Sequence, residues 1–148
     1  MPNSLSFEME KDLLIKGWMS HDARWFMAVT QHFGMKRFMK TLALSQPKDL
    51  VEYLTFNKAA FELYGSGLAE YDIKALDHQS YEMHLKRCFA YENIVRAGIK
   101  DQYKCGILAR IQGWIDAQEL EHELAPPLGK CMMVLGKECR YRITVHFH

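Results

Sequence analysis

From Ser6 to about Tyr64 the apolar residues recur at helical spacing, with breaks at Gly17, around Ser20, at Gly34 and at Ser45-Gln46-Pro47. The clearest helix is Ser20 to Phe33. Ser20 caps its first turn, Asp22 sits at the positive end of its dipole, and Gly34 supplies a left-handed stop. One stripe of it reads Asp22, Phe26, Val29 and Phe33, and the adjacent one carries His21, Trp25, Ala28 and His32. A second helix is expected from Pro47 to Tyr64, ended by Gly65-Ser66-Gly67.

After Gly67 the pattern changes. A short helix is expected over Tyr71 to Leu76. Tyr81, Met83 and Leu85 then alternate with Glu82, His84 and Lys86, the two-residue period of a half-buried strand that ends near Cys88. Helical spacing resumes directly through Tyr91, Ile94 and Val95 and stops at Gly98. Cys105 falls in a loop or short extended piece, and Trp114 to Leu124 reads as a helix ended by Pro126-Pro127. At the C-terminus, Lys130 to Leu135 and Glu138 to Phe147 flank Gly136-Lys137, the pattern of a type II′ hairpin. Its register would pair Val134 with Cys139 and Met132 with Tyr141, and Cys131 with Arg142 on the opposite face.

These elements predict an α+β fold in one domain over 1–148. A helical half (1–67) precedes a strand-helix-hairpin half (68–148) whose small sheet is largely antiparallel. A free edge on such a sheet would suit a homodimer.

Composition narrows the function classes. Nineteen Lys and Arg against 18 Asp and Glu give a net charge of +1, and the isoelectric point is about 7.7. This leaves no basic footprint for nucleic acid or anionic lipid. The start lacks the basic and apolar regions of a secretory signal, and no stretch approaches the roughly 18 apolar residues of a membrane span. A cytoplasmic protein is expected, with its four cysteines reduced. The gaps between Cys88, Cys105, Cys131 and Cys139 are 16, 25 and 7 residues, without the paired spacing of zinc ribbons. HExxH, GK[ST], GxSxG and GxGxxG are all absent.

The stretch YEMHLKRCFAYENIVRAG, followed by Cys105 and by MMVLGKECRYRI, resembles the L-2-amino-thiazoline-4-carboxylic acid hydrolase family. Related patterns occur in proteins described only as cytosolic and in vinyl-reductase-like small-molecule-binding domains. SHDARWFMAVTQHFG matches the N-terminal part of the former. The resemblance covers about residues 80 to 146 and 20 to 34. It implies a ligand pocket between the helical half and the sheet, with hydrolytic opening of a thiazoline ring in the named enzymes. Position by position it points to Cys88, Glu92, Cys105 and Cys139. The family's second Cys is usually followed closely by an acid, whereas Cys105 is followed by Gly106-Ile107-Leu108 and the next acid is Asp116. That departure favours binding without turnover.

Cys88, Cys105 and Glu92 are therefore the candidate catalytic set. Cys139, Arg87, Arg142, Trp25 and His21 are candidate ligand contacts, with an arginine neutralising a carboxylate. Each has a plainer explanation: free cysteine is usually packed in the core, and Glu92 suits the first turn of its helix. On a strand, His84 and Cys88 would share a face roughly 13 Å apart, too far for a direct pair. Three readings result: a small-molecule-binding domain that hydrolyses a heterocyclic acid, a non-catalytic ligand sensor of the same fold, and a metal or haem site built from scattered Cys and His. The sequence names no cofactor.

Overall fold

The computed structural model describes Ser6, Met9 and residues 35–41, 45–65 and 69–148. The helix expected over Ser20 to Phe33, with His21 and Trp25, lies outside them. The described elements are α1 (Met35–Thr41), α2 (Leu50–Gly65), β1 (Ala69–Ala75), β2 (Ser80–Cys88), α3 (Phe89–Arg96), α4 (Gly106–Ala117), β3 (Glu121–Ala125) and β4 (Cys139–His146).

Asp49, not Pro47, sets the start of α2. Its Oδ1 accepts the Glu52 N–H at 2.9 Å, while Glu52 Oε2 accepts the Lys48 N–H at 3.0 Å, a reciprocal cap. The helix turns Leu50, Tyr53, Asn57, Ala60 and Phe61 into the interior.

The four strands form one antiparallel sheet in the order β1-β2-β4-β3. Its inner face carries Tyr81, Met83 and Leu85 from β2 and Cys139, Tyr141, Ile143 and Val145 from β4, all buried. The outer face is ionic, with Arg140 bonded to Glu82 at 2.8 Å and Lys86 paired with Asp72. Helices α2, α3 and α4 contribute to the same core cluster as the inner face. The α+β class follows. Among the described residues no helix is long and apolar enough to cross a membrane.

Three local expectations are corrected. The segment expected as a helix over Tyr71 to Leu76 is β1, because Ala69, Tyr71 and Ile73 pack on the core while Glu70, Asp72 and Lys74 alternate with them. The helix expected from Trp114 to Leu124 begins at Gly106 and ends at Ala117. Glu121–Ala125 is the edge strand β3, which stops at a cis Ala125-Pro126 bond.

The terminal hairpin is the third. β4 exists, but its neighbours are β2 and β3, so Arg142 lies opposite Glu82 and Ala125 rather than Cys131. Residues 132–136 form a helical turn instead of a strand. The Lys137 N–H reaches Met132 O at 3.0 Å and the Gly136 N–H reaches Met133 O at 3.1 Å, with Gly136 at φ 69. This is the glycine-terminated stop of a helix, and it uses the same glycine that a hairpin would need.

Candidate functional site

Two features meet in the interior: a gathering of cysteines at one end of the sheet, and a cavity between α2, α4 and the strands.

The cysteines arrive from four directions. Cys88 ends β2, Cys139 begins β4 opposite Leu85, and Cys105 stands at the N-cap of α4. The bridge between Lys104 and Lys130, with the Cys105 N–H on Gly129 O at 3.4 Å, draws Cys131 to the same place. All four are buried, free and part of one core cluster. Burial pushes the Cys105 and Cys139 thiols up to about 12, and in each case the neighbouring cysteines add to the rise. Burial also pushes Cys88 up. Cys88 sits at the N-cap of α3 without a capping hydrogen bond, and the Tyr91 and Ala90 amides offset only part of the shift. The helix N-termini therefore do not make these thiols nucleophilic at neutral pH. Among the described residues no three His, Cys, Asp or Glu side chains are placed to hold one metal ion.

A β-bulge brings Cys88 inward. Tyr71 pairs with Leu85 but Glu70 pairs with Arg87, so the register shifts by one at Lys86. Cys88 then falls opposite Ala69, on the core side. His84 stays on the outer face, its Nε2 4.0 Å from Glu138. The shared face expected for His84 and Cys88 is thereby broken.

The remaining predicted residues lie apart from the interior. Arg87 Nε holds Glu92 Oε1 at 2.8 Å on the surface, so the two candidates satisfy each other. Glu92 is near enough to Cys88 to raise its pKa slightly further. Arg142 belongs to the outer face and binds Asp77 Oδ2 at 3.2 Å and Ser80 Oγ at 3.3 Å.

The cavity was not legible as a site in the sequence. Its outer part is an open cleft of about 850 Å³ bordered by Leu54, Thr55 and Lys58 of α2, by 69–73 of β1 and by Lys86. Its inner part is a chamber of about 20 Å³, the room of one water, lined by Tyr53, Asn57, Phe61, Tyr81, Met83, Ile111 and Trp114. Leu54 and Ile73 border both, so these two side chains stand between the chamber and the cleft. Phe61 packs edge-on against Tyr71 at 4.4 Å and Trp114 at 6.3 Å.

Polar groups are threaded through this apolar wall. The Tyr53 and Tyr81 hydroxyls are 3.0 Å apart, and Asn57 Nδ2 donates to Tyr53 O at 2.8 Å. Gln118 Nε2 donates to Asn57 Oδ1 at 3.3 Å and to Trp114 O at 2.9 Å, while Gln118 Oε1 is buried without a partner among the described residues. Burial raises the pKa of both tyrosines, which therefore stay neutral phenols. The available signal was Asn57 within the apolar stripe of α2, one turn from Tyr53.

No protein-family model matches the chain, and no curated protein matches it. A solved structure with a similar fold is a trafficking protein particle complex subunit 3 from Naegleria fowleri, covalently bound to palmitic acid. It is 14% identical at a TM-score of 0.50, covering 95% of this chain and 98% of that chain. At that identity the likeness concerns the fold alone.

Proposed function

We propose that this chain is a non-catalytic small-molecule-binding domain that takes an apolar ligand across the Leu54–Ile73 throat, with one end in the aromatic chamber. The observation that carries this reading is that the large cleft adjoins, across Leu54 and Ile73, a chamber walled by Tyr53, Phe61, Tyr81 and Trp114. Ligand sites of this kind are concave, mostly apolar and furnished with a few polar groups. Met83, which lines the chamber, is a flexible side chain able to yield to an incoming group. The fold likeness supports the reading in one respect: the trafficking subunit holds palmitic acid, an apolar chain.

Binding is preferred to hydrolysis because the candidate nucleophiles are buried with raised pKa values and Glu92 is engaged by Arg87. The resemblance to the thiazoline hydrolases thus supports a shared pocket-bearing architecture more than shared chemistry. The test is calorimetric titration with α-methylstyrene, a compact aromatic hydrocarbon. Saturable one-site binding that is lost in a folded Leu54→Trp variant is expected. Equal affinity in that variant would overturn the reading.

A further inference from the structure

The chamber contains a hydroxyl donor that no described residue accepts. Tyr53 and Tyr81 are 0% and 2% exposed, and both line the chamber. Two neutral phenols carry two hydroxyl protons. One proton makes the 3.0 Å contact between the oxygens, whichever tyrosine donates it. Among the described residues the other proton has no acceptor, since Asn57 engages the Tyr53 backbone carbonyl and not its hydroxyl. Burying a hydroxyl donor without a partner is unfavourable, and such groups usually face a water or a ligand.

From this we infer that the tyrosine pair is the polar recognition point of the site, and that the ligand brings a neutral oxygen acceptor, a carbonyl or an ether, at its buried end. The inference rests on the proposed ligand-binding function and gives it a chemical class. An anionic oxygen is disfavoured there. The described lining of the chamber holds no Lys, Arg or His, whereas Lys58 and Lys86 border the outer cleft. A carboxylate would keep its charge more cheaply in the cleft than in the chamber. A neutral carbonyl can be desolvated and still accept the phenol proton.

The experiment compares acetophenone with α-methylstyrene, in which a methylidene group replaces the carbonyl oxygen at nearly constant shape. Both are titrated by calorimetry into the wild-type full chain and into the Tyr53→Phe, Tyr81→Phe and doubly substituted chains. The wild type should bind acetophenone about five- to tenfold more tightly than its hydrocarbon isostere, the ratio for one buried hydrogen bond. The double variant should bind both probes within about twofold of each other. If the double variant does not fold, at least one single variant should lower the ratio by half or more.

Equal binding of the two probes by the wild type, with saturable binding of both, would overturn the inference and leave the proposed function standing. A full preference retained in the double variant, or in both single variants where the double does not fold, would overturn it too. Binding of neither probe would overturn the proposed function, and this inference with it.

Discussion

His84 and Cys88 stand on opposite faces of β2 although they are four residues apart in one strand. His84 faces Glu138 on the ionic side, and Cys88 packs in the core opposite Ala69. The bulge at Lys86 produces this, and it separates the imidazole from the thiol that it would have to activate.

Deleting Lys86 should therefore remove the bulge and leave Cys88 three strand positions from His84, still on the core face. Site-resolved alkylation of the folded deletion variant should leave Cys88 as protected as Cys105 and Cys139. Labelling of Cys88 in the folded variant would contradict the role given to the bulge.

In the unaltered protein, Cys105 and Cys139 should resist iodoacetamide at neutral pH. With pKa values near 12 against an ordinary 9.0, their thiolate fractions fall by about a thousandfold. Labelling should begin only on unfolding. Rapid native labelling of Cys105 at pH 7.5 would instead support the hydrolase reading.

The same shifts set the alkaline limb of stability. Cys105 and Cys139 hold their protons more tightly folded than unfolded. Their contribution is therefore complete below about pH 9 and is lost as pH rises toward 12. The urea midpoint should decline from pH 8 to pH 10.5, and less steeply in Cys105→Ala. A flat profile over that interval would contradict the burial of these thiols.

At the start of α2, Asp49→Ala should cost about 1 kcal/mol, since it removes the acceptor for the Glu52 N–H. Denaturant unfolding measures this directly. Glu92→Gln should cost less than about 1 kcal/mol, as expected for an exposed ion pair, and should leave ligand affinity unchanged.

Much of the architecture was legible locally. β2 was readable because Tyr81, Met83 and Leu85 are buried in strict alternation with polar neighbours, and α3 because Gly98, at φ 69, ends it. The start of α4 was hidden for the opposite reason: ten of its twelve residues are buried, so no polar face marks its period. The pairing of β4 was not legible because Gly136 satisfies a helical stop as well as a two-residue turn, and only the distant β2 decides the partner of β4. The chamber joins Tyr53 to Tyr81 and Asn57 to Gln118, pairs separated by 28 and 61 residues. No short-range pattern encodes such a meeting. The cysteines are visible in the sequence as residue types, yet their convergence depends on the Lys104–Lys130 bridge and the bulge in β2.

The most direct test of a ligand across the α2–sheet seam is a methyl-resolved NMR titration with α-methylstyrene. Leu54, Ile73, Met83 and Ile111 border the cleft or chamber, whereas Val51 and Val95 are exposed elsewhere. Saturable shifts at the first four, with Val51 and Val95 unmoved, are expected. No saturable shift at those four, or shifts confined to the 132–135 turn, would contradict the account.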